Sequence, residues 1–327
     1  MGVTLSQVFP PRPALTEANL PSQQGKVFVV TGGTSGVGFE LAQILYGAGG
    51  TVFITARSEA SLQTTIKSIK SSPSTNGSID GVILDLADLT TVKPAVQHLL
   101  TKTSAINVLF LNAGVSQPPV GTTAQGQEIR MGINCLGGLL IAYLALPGLV
   151  RAAEEAKTRN EDPGNVRIVW TSSLFVDVGA PKGGFKMEDI IDPPKDTIAT
   201  YNNSKLGNWY LAHHFSTLPQ VRDNDILSIT QNPGNLRSNL LRDAPWMFYI
   251  SYPLLYHSRY GAYTELWAGI TNEIGIGDQG CYILPWGRKH PAPRPDLLDS
   301  LKSKEEGGTG RADEFAEWSE DQIRQFR

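Results

Sequence analysis

Cysteine is scarce in this 327-residue chain: Cys135 and Cys281 are its only two. Two cysteines do not make the disulfide framework of a small secreted domain, so both read as reduced packing residues of a reducing compartment. An excess of one charge is also missing. Lys and Arg number 28 against 31 Asp and Glu, a net charge of −3, which leaves no basic field for a nucleic-acid backbone. The five histidines are scattered, the adjacent His213 and His214 face different sides of a helix, and no metal-ligand spacing appears. The N-terminus carries no charged stretch followed by an apolar run, so no secretory signal is read and a cytoplasmic location is expected.

One long uncharged run is present, at 131–150. It contains Asn134, several glycines and Pro147, and it lies between two strand patterns, so a buried helix is expected there and not a membrane span. The opening MGVTLS fits a myristoylation pattern through Gly2 and Ser6. One acyl chain there gives only weak, reversible membrane attachment.

The hydrophobic content of 41% suffices for a large core. Residues 1–25, with Pro10, Pro11, Pro13 and Pro21, read as an extended surface arm. Short β-branched runs then alternate with helical spacing: strands at 26–30, 51–55, 81–86, 107–111, 166–173, 226–231 and 281–285, and helices near 59–70, 90–102, 126–150, 201–217 and 259–272. This pattern predicts one α/β domain over 26–290, with about seven strands in a mostly parallel sheet and helices on both faces. Residues 291–327 read as an appendage packed on that core.

The first strand runs into TGGTSGVG, residues 31–38. Gly32, Gly36 and Gly38 sit where a strand becomes a helix, which lets the backbone approach a pyrophosphate and turns helix-start N–H groups toward an anion. Thr31, Thr34, Ser35 and Val37 complete the candidate cradle. Nicotinamide-adenine dinucleotide sites without a 2′-phosphate usually carry an acid at the end of the second strand. Here that strand ends Thr55, Ala56, Arg57, Ser58. Arg57 suits a 2′-phosphate and Ser58 adds a hydroxyl, so NADP(H) is the expected cofactor.

Later in the chain comes Tyr201 with Lys205 four residues on. On a helix they share a face. A nearby ammonium is expected to lower the phenol's pKa toward the working pH. By itself this spacing says little; its weight comes from the preceding strand, which ends in Ser172 and Ser173, and from the glycine turn.

Together these motifs resemble the short-chain dehydrogenase/reductase superfamily, over roughly residues 25–285 and closest to its retinol-dehydrogenase-like and fungal reductase branch. The resemblance implies a Rossmann-type fold. It implies that Asp85 and Leu86 hold the adenine, and that Asn112, Ala113 and Gly114 end the fourth strand at the cofactor. In place of the family's usual NNAG the chain has Leu111 before Asn112, a departure at a largely structural position. The resemblance further implies a catalytic set of Asn134, Ser173, Tyr201 and Lys205, with Asn134 holding a water that links Lys205 to solvent; Ser172 is the alternative to Ser173. Pro233, Gly234, Leu236 and Ser238 then match the residues beside the nicotinamide, Ser238 standing where the family has Thr.

The expected activity is NADP(H)-dependent interconversion of a carbonyl and an alcohol on an apolar or aromatic small molecule, a secondary metabolite among the options. The alternative is non-redox epimerisation, dehydration or cyclisation with structural NADP. The run 244–258 reads as an apolar lid or as a helix packed on the core, and the loop 174–200 as a second wall of the pocket. A homo-oligomer through the long helices is open, subject to obstruction by the C-terminal segment.

Overall fold

The computed structural model describes residues 2–73, 76–237 and 254–327. Ser238 and residues 244–253 of the expected lid lie outside the described residues.

The main sheet is built from β1 (Val27–Val30), β2 (Thr51–Ala56), β3 (Ser78–Ile83), β4 (Val108–Leu111), β5 (Arg167–Thr171) and β6 (Leu227–Gln231). After the short strands β7 (Leu236–Arg237) and β8 (Tyr256–His257), it is completed by β9 (Tyr282–Leu284) and β10 (Arg288–Lys289). The eight-stranded order is β10-β9-β6-β5-β4-β1-β2-β3. All pairings are parallel except β9 with β10. Near-continuous burial of β1, β2, β4, β5 and β6 explains their apolar runs, as expected for strands covered on both faces.

The helices before β5 are α1 (Val3–Val8), α2 (Gly36–Gly47), α3 (Glu59–Lys70), α4 (Val92–Lys102) and α5 (Ile129–Thr158). After β5 come α6 (Phe175–Gly179), α7 (Glu188–Ile191), α8 (Thr197–Thr217) and α9 (Pro219–Arg222), then α10 (Ser258–Ile270), α11 (Pro295–Leu301) and α12 (Arg311–Ile323).

The eighth strand of the sheet, β10, is not legible in the sequence because two residues carry no period. The third strand begins at Ser78 and ends at Ile83, so Asp85 and Leu86 stand in the turn beyond it. The expected arm also differs: α1 is helical, and its Gln7 is buried.

Two apolar layers cover the sheet. One packs α5 and α8 through Leu139, Trp170, Leu206 and Phe215. The other packs α2 and α10 through Leu41, Leu45, Leu266 and Trp267. Each fully buried side chain of this size contributes about 1.5–3 kcal/mol. The helix α5 is long and apolar enough to cross a membrane, and 72% of its most apolar window is buried within the fold. It is the buried helix that the sequence predicts over 131–150.

The C-terminal helix α12 lies against α8. Phe315 is fully buried between Phe185 and Tyr210, their ring centroids 5.0 and 6.2 Å away. Gly207 makes that approach possible, since a Cβ there would stand 3.0 Å from the Phe315 ring. Glu320 of the same helix bonds His214 of α8 at 2.7 Å and Tyr143 of α5. This stretch of the two long helices is therefore covered from within the chain.

Candidate functional site

The sheet order reverses between β1 and β4, and in such a sheet the ligand crevice is expected there, beyond the carboxyl ends of the strands. The glycine turn after β1 and Asn112–Gly114 after β4 face each other across it. Asn112 donates its Nδ2 proton to the Thr31 carbonyl at 2.8 Å, and the Ala113 N–H donates to Thr31 Oγ1 at 3.0 Å. Gly32 adopts φ +67°, the left-handed region. A Cβ on Gly38 would lie 2.6 Å from both Asn112 Nδ2 and the Gly32 carbonyl oxygen. The turn is thus packed closely where side chains cannot fit, and such a glycine cradle fits a dinucleotide pyrophosphate. Ser35 caps α2 without a side-chain hydrogen bond to its first turn, leaving those N–H groups available to an anion.

Arg57 is exposed just past β2, and its guanidinium has no partner among the described residues. Ser58 also caps α3, its hydroxyl accepting from the Ser61 N–H. Asp85 accepts from the Ala87 N–H at 3.0 Å. Leu86 is buried against Gly137, where a Cβ would meet its Cδ2 at 2.7 Å. Pro233, Leu236 and Val37 converge on Gly261 of α10, at 3.4, 2.3 and 2.8 Å from the Cβ that an alanine would place there. Gly261 was not singled out from sequence. Its signal is a glycine inside a helix, where it costs about 1 kcal/mol relative to Ala unless close packing requires it.

Asn134, Ser173, Tyr201 and Lys205 gather at the other wall of the crevice. Asn134 sits in a π turn, Gly132–Leu136, within α5, a local widening common where a side chain must be re-aimed. Its Oδ1 accepts from the Val115 N–H at 2.8 Å. Its Nδ2 donates to the Val115 carbonyl at 3.0 Å and to Ser204 Oγ at 2.9 Å. Lys205 donates to the Thr171 carbonyl at 3.1 Å, and its Nζ stands 5.8 Å from the Tyr201 ring centre. A Cβ on Gly114 would lie 3.0 Å from Asn134 Oδ1 and 3.2 Å from Lys205 Nζ, so a side chain there would crowd this junction.

The two serines have different surroundings. Ser172 is buried, donates to the Lys205 carbonyl at 2.8 Å and accepts from Tyr282 Oη at 3.1 Å. Ser173 is half-buried; its backbone is held by Tyr282, while its hydroxyl accepts only a long bond from the Phe175 N–H at 3.3 Å and hydrogen-bonds Tyr201. Of the pair, Ser173 is the one whose hydroxyl meets the Tyr201 phenol.

Burial controls the charges. It pushes the Tyr201 phenol up to about 12, and the hydrogen bond with Ser173 opposes it only in part. Burial likewise pushes Lys205 down to about 8, against the pull of Cys135 and Glu265. Burial thus raises the phenol above its ordinary value, opposite to the lowering expected from the ammonium.

A fully buried carboxyl, Glu265 of α10, lies below Lys205 and was missed from sequence. Its Oε1 accepts from Thr171 Oγ1 at 2.9 Å and Gln231 Nε2 at 2.8 Å, while its Oε2 has no partner among the described residues. Burial lifts its pKa to about 8. No period or motif marks it, because its neighbours come from two strands far away in the chain.

The chain is similar to known proteins over nearly its whole length. Residues 26–182 match the short chain dehydrogenase family. A short-chain dehydrogenase/reductase, iacJ, of Pestalotiopsis fici is 38% identical over 321 residues, covering 96% of this chain and 95% of that one. The chain belongs to the short-chain dehydrogenase/reductase family. NAD(P)-dependent oxidoreduction is the activity class that this membership supports. Among solved structures, a 3-ketoacyl-(acyl-carrier-protein) reductase from Brucella melitensis complexed with NADH shares the fold at TM-score 0.59 and 19% identity, over 83% of this chain and 99% of that one. An RhlG/NADP active-site complex from Pseudomonas aeruginosa does so at TM-score 0.52 and 22% identity, over 89% of this chain and 92% of that one. The dinucleotides named with those structures belong to those proteins, and both types occur on this fold.

Proposed function

We propose that this protein is an NADP(H)-dependent oxidoreductase that interconverts a carbonyl and an alcohol on an apolar or aromatic small molecule. The observation that carries the reading is the convergence of Tyr201, Lys205, Ser173 and Asn134 beside the glycine cradle, with Gly114 touching the lysine–asparagine junction. A nicotinamide dinucleotide held there would supply or accept the hydride. Tyr201, protonated at neutral pH, donates the proton to the substrate oxygen. Ser173 donates a hydrogen bond to that oxygen as charge develops on it. Lys205, anchored by Thr171, presents a cation beside the phenol, and Asn134 keeps the Val115 backbone and Ser204 in register with it.

Arg57 supports NADP(H) over NAD(H): its exposed planar cation follows β2, and no carboxylate precedes Glu59 there. The substrate class rests on the apolar rim. Phe175 is 39% exposed and meets the Tyr201 ring edge-on at 6.0 Å between centroids. A charged substrate would have to lose water against such a surface without compensation.

The reading is tested by following NADPH absorbance with a panel of apolar ketones, aldehydes and quinones, for the wild type and for Tyr201→Phe. Wild-type turnover with NADPH is expected, and Tyr201→Phe is expected to bind NADPH normally while turnover drops about 10²–10⁴-fold. Near-normal turnover of Tyr201→Phe would overturn the assignment.

A further inference from the structure

We infer that the N-terminal helix α1 is part of the active-site wall, and that Gln7 is a positioning residue which ties together the two segments flanking that site. The inference rests on the proposed reaction only for its kinetic consequence.

Gln7 is 1% exposed, although it stands in a helix near the chain end. A buried amide must place both its donor and its acceptor on partners. Gln7 does so on two separate segments. Its Nε2 donates to Asp177 Oδ2 at 2.6 Å, and its Oε1 accepts from Asn232 Nδ2 at 2.9 Å. Asp177 belongs to the short helix α6, which closely follows Ser173. Asn232 ends the run from β6 and shapes the next turn, its Oδ1 accepting from the Gly234 N–H at 2.9 Å.

The chain thus leaves the candidate serine on one side and enters the Pro233–Gly234 turn on the other, and one side-chain amide spans the gap. The other charged and titratable groups around it act on the same assembly. His290 shares Asp177 Oδ2 at 2.9 Å, and Tyr282 lies beside the His290 ring. Arg294 donates to the Asp177 carbonyl at 3.4 Å. Arg288 donates to the Ser6 carbonyl at 2.9 Å, so it fastens the arm's backbone next to Gln7. Nothing in an extended surface arm calls for a buried glutamine; a wall that must hold two loops at fixed separation does.

The test compares Gln7→Leu, Gln7→Glu and Gln23→Ala with the full-length wild type. Gln23 is a buried arm residue whose amide bonds only the local Pro21 carbonyl, so its variant loosens the arm without touching the tie. Hydrogen exchange is read first, because it needs no turnover. Gln7→Leu is expected to speed exchange of the Gly234 and Asp177 amides by about ten-fold or more, while Gln23→Ala leaves them unchanged. Kinetics follow, well below the melting temperature. In Gln7→Leu, kcat/KM for NADPH-dependent reduction is expected to fall about ten-fold or more, with kcat affected as well as KM.

Gln7→Glu adds a signature that loosened packing does not produce. Protonated, it still donates to Asp177 and accepts from Asn232. Ionised, it repels the Asp177 carboxylate. Its kcat/KM is therefore expected to approach wild type at acid pH and to decline as pH rises, relative to a wild-type profile measured alongside. Unchanged exchange at Gly234 and Asp177 in Gln7→Leu would overturn the inference, as would changes equal to those in Gln23→Ala. A wild type without NADPH turnover would instead sink the functional reading, and the exchange result would stand on its own.

Discussion

Lys205 Nζ donates to the carbonyl oxygen of Thr171 at 3.1 Å, and the hydroxyl of the same threonine donates to Glu265 at 2.9 Å. One residue at the end of β5 therefore links the lysine of the candidate site to a fully buried carboxyl in α10. Asn208 also donates to the Thr171 carbonyl, at 2.8 Å, so the oxygen that anchors Lys205 is held from two positions of α8. The cation is placed by backbone geometry, which is stiffer than another long side chain would be.

The Lys205–Glu265 relationship predicts the pH dependence. Lys205 sits at about 8, below its ordinary value, so its charged form is lost as pH rises through about 8. If the ammonium supports proton donation by Tyr201, kcat/KM for reduction declines across that range. Glu265, itself lifted to about 8, favours the charged lysine once it ionises, in the same pH range. Glu265→Gln, which preserves the hydrogen bonds from Thr171 and Gln231, is expected to move that limb to lower pH. A pH profile of both proteins in the reductive direction decides; coincident limbs would separate Glu265 from Lys205.

Gly114→Ala is expected to be more harmful than its one added methyl suggests. The new Cβ would press on Asn134 Oδ1 and Lys205 Nζ at 3.0 and 3.2 Å. Displacing either by a fraction of an ångström misaligns the proton donor, at a loss of up to about 100-fold in kcat. Steady-state kinetics with a thermal melt checks this: the melting temperature should move far less than the rate.

Arg57→Ala separates the two dinucleotides. A guanidinium bound to a phosphate contributes about 1.5–3 kcal/mol, so NADPH affinity should fall roughly 10- to 150-fold. NADH, without the 2′-phosphate, should bind nearly as before. Fluorescence titration with each dinucleotide measures the ratio, and an unchanged ratio would move the preference elsewhere.

Phe315→Ala should destabilise the protein by about 3–5 kcal/mol, the ordinary loss for a fully buried aromatic ring. Chemical denaturation followed by circular dichroism reads it. The effect would show that the C-terminal helix is part of the packed core and not a tethered extension.

The repeated strand–helix alternation and the glycine turn were legible along the chain, because sheet burial and 3.6-residue spacing leave local periodic marks. The cradle at Gly32–Gly38, the helical spacing of Tyr201 and Lys205, and the seven longer strands come from that local code. Two-residue β10 left no such mark. The helical arm hides its role because Gln7, between Ser6 and Val8, belongs to no motif or period until Asp177 and Asn232 meet it.

Within the site the division is similar. Sequence by itself determined which functional groups are available: a phenol and an ammonium one helical turn apart, a pair of serines at a strand end, an arginine after the second strand with no acid before Glu59. Tertiary structure alone decided how they are used. It occupied Ser172 with Lys205 and Tyr282 while turning the Ser173 hydroxyl to Tyr201. It raised the Tyr201 pKa where the spacing had suggested the reverse, and it set Glu265 beneath the lysine. The physical reason is that desolvation and hydrogen-bond satisfaction depend on every neighbour in space, and most of these neighbours are distant in the chain.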